Sequence, residues 1–406
     1  MARAPFELSP GEVVAVSGAH GGSFAVLSPL AAGASSQAWL ARREDGLIGV
    51  LKTIRWTDQP GHELVIEEQI LRQLRSKNLV RFLGKGERGG RLVLAYERAF
   101  RNPLLVLSEP RIRSRLPRDP MTRYYPLPPR MALALAVDLL RAIEHMHALG
   151  FVHHDVKPGN LMMRLPDLEK QEEVGLERLA ALASKGQPQG VLIDIGATRS
   201  LVFLEEFNRG EVDPSIVPPQ LTPTHAPPES LLRAPGPHGE RPVLHPSLDV
   251  YAAALVVYAS VSGCGPYDHE VPDLAGLERI LAVKARERDG KLQPIAYRPL
   301  AAAPGIDKGL AEELFRLLKG WVTPRVEERP PAKVARERLE TLCAEHGIAT
   351  APRSGRLTAA APAGPAPAPA PARPRPRLPE PKPGFYEELA RLEARNRRPP
   401  GGSARH

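Results

Sequence analysis

The 406-residue sequence predicts an α+β protein of two lobes followed by an extended tail. Three observations carry that expectation. Short apolar runs with strand character fill Phe24 to Glu97, a helical period dominates beyond residue 125, and Pro and Ala take over after residue 350. In the first part FAVLSPL and QAWLAR read as strands, Asp45-Gly46 as a hairpin turn and IGVLKTIRW as a third strand. A helix is expected over 62–75, where Leu64, Glu67, Ile70, Leu71 and Leu74 recur at helical spacing. Leu79–Lys85 and Arg91–Glu97 complete a small antiparallel sheet carrying one helix. In the second part Met131–Leu149, Leu310–Leu318 and Val334–His346 are amphipathic, and Leu248–Ser262 is apolar nearly all round. The expected divisions are an N-terminal extension (1–23), a strand-rich lobe (24–98) and a helical lobe (99–348) with an insertion at about 164–190. A linker (349–384) and a short helix with a basic end (385–406) follow. Ligand is expected in the cleft between the lobes.

Composition limits the function classes. Hydrophobic content of 42% and charged content of 25% suit a globular body. The 45 prolines are less ordinary, and the alternation of Ala and Pro over Ala359–Pro383 suits an extended polyproline-type linker. After residue 350 eleven Arg or Lys face four Glu, so the tail holds +7 of the net +9 and the body is nearly neutral. That distribution argues against nucleic-acid binding and suits a solvated arm or a docking segment for a partner. Two cysteines, Cys264 and Cys343, exclude a disulfide framework and a cysteine metal cluster, which fits a reducing compartment. The N-terminus has no apolar signal core. The longest apolar run, Val250 to Val261, falls short of the roughly 20 residues of a membrane span. A soluble, cytoplasmic protein is expected.

The string FVHHDVKPGNLMM carries the most chemistry. Asp155, Lys157 and Asn160 lie within six residues, on a loop that Pro158-Gly159 keeps from being helical. The carboxylate can orient an attacking hydroxyl, the ammonium can neutralise a moving phosphoryl group, and the carboxamide oxygen can hold a metal ion. Taken alone, such a loop also reads as a plain turn.

HHDVKPGN resembles the catalytic loop of eukaryotic-type Ser/Thr protein kinases, H-R-D-x-K-x-x-N, including the eukaryotic-like kinases of bacteria. Further similarities follow in the family's order. GVLK places Lys52 at the strand lysine, and EEQILRQL places Glu67 as its helix partner, with Glu68 the poorer register. VLIDIG places Asp194 at the start of a D-F-G-like motif, with Ile195 for Phe. TPTHAPPES resembles the end of an activation segment, with Thr222 and Glu229 in place. SLDVYAAALVVYASVSGCGPY places Asp249 at a buried helix start, and VEERP offers Arg329 as the partner of Glu229. The resemblance runs from about residue 24 to 345 and implies the two-lobed kinase fold, ATP and Mg²⁺ as cofactors, and protein hydroxyls as substrates. It implies that Asp155, Lys157, Asn160 and Thr222 serve catalysis and that Asn160 and Asp194 hold the metal. Gly33, Ala38, Lys52, Glu67, Tyr96, Glu97 and Ala99 would surround ATP. Tyr96 would back the adenine pocket, although a plain core tyrosine is an equal reading. Glu97 and Ala99 would offer backbone hydrogen bonds.

The chain also departs from the family pattern. In LAAGASSQAWLA, Ala31 and Ser36 replace two glycines of the phosphate loop and only Gly33 remains, so weaker ATP contact is expected. The upstream GAHGG, Gly18 to Gly22, stands too far from Lys52 and reads as a loop. His154 replaces the catalytic-loop arginine, so phosphorylation at Thr198, Ser200 or Ser215 should matter little, while a protonated His154 could substitute at low pH. Thirty-four positions separate Asn160 from Asp194, and the excess reads as a charged surface helix. Thirty-five separate Asp194 from Glu229, with Phe203–Gln220 expected to be mobile. Either segment could recruit substrate or be inert. A non-enzymatic pseudokinase and a small-molecule phosphotransferase are the rival readings. The intact set Lys52, Glu67, Asp155, Asn160 and Asp194 opposes the first, and Thr222, Glu229 and Asp249 oppose the second.

Overall fold

The computed structural model describes residues 6–350 apart from 33–35, 56–61, 117–121, 186–187, 213–220, 233–241 and 273. Gly33, Ser215 and the tail features expected beyond residue 350 lie outside the described residues.

The strand-rich part is built from β1 (Val13–Ser17), β2 (Gly22–Ala32), β3 (Ser36–Arg43), β4 (Ile48–Ile54), β5 (Phe82–Arg88) and β6 (Arg91–Glu97). These close into an antiparallel barrel in the order β1-β2-β3-β4-β6-β5. Alternation fills the barrel, with Val14, Val16, Phe24, Val26, Trp39, Ala41, Leu51 and Val93 forming its core. The β3–β4 turn is the expected one. Gly46 takes φ 87°, and Asp45 accepts from Arg43 (2.7 and 2.9 Å) and from the Leu47 amide (3.2 Å). Between β4 and β5, α1 (His62–Leu71) packs Leu64, Ile66, Ile70 and Leu71 inward.

The remaining helices are α2 (Pro103–Leu107), α3 (Pro110–Arg113), α4 (Pro129–Ala148), α5 (Leu176–Lys185), α6 (Leu201–Arg209), α7 (Pro228–Leu231), α8 (Ser247–Ser262), α9 (Leu277–Arg288), α10 (Tyr297–Ala301), α11 (Lys308–Trp321) and α12 (Ala332–Glu345). Every residue of α8 is buried, which explains why its sequence is apolar without a period. It packs with α4, α11 and α12 in the main core. Two short antiparallel pairs, β7 (Phe151–Val152) with β10 (Arg199–Ser200) and β8 (Leu161–Arg164) with β9 (Gln189–Leu192), carry the loops between them.

Five expectations need correction. The barrel begins at β1, inside the stretch expected to be an extension, and GAHGG is the β1–β2 turn. The first helix stops at Leu71, not Arg75, and the expected strand at Leu79 starts at Phe82. Leu79 and Val80 are drawn away to β9, where the Val80 amide donates to Leu192 O (3.0 Å) and the Leu192 amide to Asn78 O (2.8 Å). Of Phe203–Gln220, expected to be mobile, residues 203–209 belong to α6, with Phe203, Leu204 and Phe207 buried against Val152, Leu244 and Leu248, while 213–220 lie outside the described residues. The inserted helix α5 is amphipathic, not merely superficial, and seats Leu179 among Phe100, Val106, Met163 and Leu168.

Candidate active site

The loop His153–Asn160, expected to be catalytic, follows α4 and β7 and is held from below by α8. Asp249 accepts the amides of His153 (2.8 Å) and His154 (2.9 Å) and meets His147 Nε2 at 3.0 Å. Burial alone would raise the Asp249 carboxyl, but hydrogen bonding to His147 and the surrounding histidines bring it below the ordinary range. His153 Nε2 meets Ile193 O at 3.0 Å, tying the loop to the segment that leads into Asp194.

On that frame Asp155, Lys157, Asn160 and Thr222 converge. Asp155 Oδ2 accepts from Lys157 Nζ (2.6 Å) and Asn160 Nδ2 (3.0 Å), while Oδ1 accepts from Thr222 Oγ1 (2.5 Å). Lys157 Nζ also donates to Thr222 Oγ1 at 3.0 Å. The second donor of Asn160 goes to Asp155 O at 2.8 Å, so its carboxamide oxygen is the group left to a cation.

A second group stands on the barrel side. Lys52 Nζ, on β4, donates to both oxygens of Glu67 (2.9 and 3.0 Å) and to Asp194 Oδ1 (3.1 Å). Side-chain exposure is 14% for Lys52 and 3% for Glu67 but 47% for Asp194, so the clamp is sealed behind and open toward the cleft. Burial works against the Lys52 ammonium, but Glu67 and Asp194 outweigh it and hold it charged. Lys52 in turn pulls the Asp194 carboxyl down to about 2. Glu68 turns to Arg72 and to Lys85 (3.4 Å), so Glu67 is the correct register. A Cβ at Gly196 would meet Lys52 Nζ, Asp194 Oδ1 and Glu67 Oε2 only at ordinary contact distances of 3.4–3.5 Å, so the clamp itself does not demand a glycine there. Asp194 takes φ 63°, and Ile195 after it is buried in the main core.

Tyr96 is more than a wall of the cleft. Its hydroxyl donates to Glu67 Oε1 at 2.6 Å, and burial beside that carboxylate drives the phenol well above its ordinary range. The Glu97 amide is spent on Arg81 O (2.9 Å), which leaves only its carbonyl for a ligand. Ala99 lies half-buried in the connection after β6, and Ala38 sits on β3 opposite Lys52. Glu229 and Arg329 form the expected fork (2.5 and 3.0 Å), with the guanidinium 5.0 Å from the centre of the Tyr251 ring.

His154 departs from its expected role. Burial pulls its imidazole down to about 3, and Nε2 has no hydrogen-bond partner among the described residues. It is a neutral, sealed side chain with φ 71° and cannot stand in for a cation at mildly acidic pH. Thr198 and Ser200 are buried as well. Local pattern carries no sign of the Tyr96 hydroxyl bond or of the Arg164 guanidinium, because both depend on contacts across long sequence separations.

The chain belongs to the protein kinase family, because the protein kinase domain model matches residues 24–338. It is 26% identical over 196 residues to serine/threonine-protein kinase PknD of Mycobacterium tuberculosis, covering 48% of this chain and 23% of the relative. It is 24% identical over 227 residues to human serine/threonine-protein kinase D2, covering 56% and 20%. A 56-residue stretch is 34% identical to serine/threonine-protein kinase PknB of Mycobacterium leprae, covering 14% of this chain and 9% of that one. The matches thus span a quarter or less of the length of these curated relatives. Among the described residues no helix is long and apolar enough to cross a membrane.

Proposed function

We propose that the chain is an active Ser/Thr protein kinase that moves the γ-phosphoryl group of ATP to protein hydroxyls. The observation that carries this reading is a pair of side-chain clusters, Asp155 with Lys157, Asn160 and Thr222, and Lys52 with Glu67 and Asp194, joined where the Ile193 amide beside Asp194 donates to Asn160 O at 2.8 Å. Asp155 accepts or orients the proton of the incoming hydroxyl, and Thr222 and Lys157 hold its carboxylate in one rotamer. Lys157 offsets the charge of the group in flight. Lys52, clamped by Glu67, would hold the α- and β-phosphates of ATP. The donor set fits a hard dication: Asp194 stays ionised and half-exposed, and Asn160 has its oxygen to give. Bound Mg²⁺ would neutralise the triphosphate. A cytoplasmic location belongs to the same reading, supported by two free cysteines.

The pseudokinase reading has two supports, Ala31 and Ser36 in place of phosphate-loop glycines and Ile195 in place of the phenylalanine of the D-F-G-like motif. One assay separates the two. Purified protein is given labelled ATP, Mg²⁺ and a generic basic protein, beside an Asp155→Asn variant. Label transfer lost in the variant supports the kinase; nucleotide binding without transfer supports the scaffold.

A further inference from the structure

Arg164 closes β8 at the end away from Asn160, and its side chain is only 14% exposed. All five of its N–H donors are used, and four of the five acceptors lie in the barrel lobe or its exit. Nε donates to Glu97 Oε2 at 3.1 Å and Nη2 to Glu97 Oε1, a two-pronged grip on a carboxylate that is itself 4% exposed. Nη2 also donates to Leu79 O (3.1 Å), and Nη1 to Lys77 O and to Gln189 Oε1 (3.1 Å). A guanidinium buried among five acceptors is a fixed joint, since losing any partner strands a donor away from water.

The position of this joint gives it a function. β8 and β9 pair from Leu161 with Leu192 to Arg164 with Gln189. Asn160 leaves one end of that ladder, and Asp194 follows two residues after the other strand. The far end carries Arg164, bolted to Glu97 where β6 exits toward Ala99. The same hairpin and the insertion after it add ties. Phe100 and Met163 exchange backbone hydrogen bonds (both 2.7 Å), Ile48 donates its amide to Glu169 O (2.8 Å), and Arg98 donates to Glu172 O (3.0 Å).

We propose that Arg164 is a positioning residue: with Glu97 it fixes the distance between the segment that would hold adenine and the Asn160–Asp194 pair that would hold the metal triphosphate. This rests on the ATP reading above. A ligand that engages both ends at once depends on the joint, whereas one that touches only the Glu97–Ala99 segment does not.

The test compares Arg164→Lys, which keeps the charge but loses the planar fork, with wild-type full-length protein, after melting curves show both folded. Calorimetry measures affinity for ATP with Mg²⁺ and for adenosine. The expected result is an ATP-to-adenosine affinity ratio lowered about ten-fold in the variant, the scale of coupling carried by such networks. An unchanged ratio overturns the proposal. Hydrogen exchange gives a readout that needs no nucleotide: the amides of Val80, Phe100 and Met163 should exchange faster in Arg164→Lys, with α12 unchanged. Unaltered exchange at all three sinks the joint itself. Should wild type bind neither ligand, the ATP reading fails, and exchange still decides whether Arg164 fastens the two ends.

Discussion

Thr222 reaches the catalytic loop across 67 positions of sequence and shares one hydroxyl between Asp155 and Lys157. Replacing it with Val keeps the shape and removes both bonds. We expect Thr222→Val to lower kcat about 10²-fold, with KM for ATP little changed, because the carboxylate loses its fixed aim and not its contact with nucleotide. Steady-state kinetics check this. Glu67 and Glu68 form a sharper contrast: adjacent carboxylates, both buried, with different partners. Glu67→Ala should abolish measurable transfer by freeing Lys52, whereas Glu68→Ala loses pairs with exposed Arg72 and Lys85 and should cost under about 1 kcal/mol. Side-by-side turnover and melting measurements decide. Most of these residues were legible in the sequence, because a loop of fixed spacing and a helix register name them directly. Tyr96 was legible only as a wall of the pocket, since its bond to Glu67 crosses 29 positions and depends on the barrel's curvature. His154 was misread because its burial under α8 and beside Arg199 is invisible to local pattern.

Elements were read well where they bury one face and poorly where tertiary contacts set their limits. The helices α4, α8, α11 and α12 keep close to their expected spans, since each has a long apolar face. The segment after Asp194 did not: α6 carries an apolar stripe of Phe203, Leu204 and Phe207 that the expectation of a mobile segment passed over, and it packs on Val152, Leu244 and Leu248. This helix starts at Ser200, whose hydroxyl accepts the Phe203 amide (3.1 Å), and ends at Gly210 with φ 83°. Asn208 then fastens it, donating to Leu244 O (2.7 Å) and accepting the Leu244 amide (3.0 Å). Apolar burial thus orders α6 without any phosphate. Ser200→Ala should cost about 1 kcal/mol as a lost cap, and Phe207→Ala about 3–5 kcal/mol as a core truncation. Urea unfolding measures both, and equal effects of the two changes would contradict the packing described.

At the scale of the molecule, two sealed histidines make acid a weak denaturant. Burial holds both His154 and His225 at about 3, against 6.5 when unfolded. The unfolded chain therefore takes up protons that the native one refuses, so this stability is complete above pH 6.5 and drains away as pH falls toward 3. By pH 5 each histidine should have cost about 2 kcal/mol. A His154→Gln/His225→Gln double variant, whatever its absolute stability, should show a flatter dependence of unfolding free energy between pH 7 and pH 5. An identical slope would mean the two side chains titrate normally in the fold.

The ring of six strands has a practical consequence at its seam. Val16 and Ser17 of β1 join Lys85 and Gly86 of β5, so among the described residues the barrel's strands leave no open border to a neighbouring chain. Trimming the protein to Phe24, where the family match begins, would unzip that seam and bare two rows of amides and carbonyls at once. Such a shortened chain should self-associate in a concentration-dependent way visible by light scattering, while one that keeps the first seventeen residues stays dispersed.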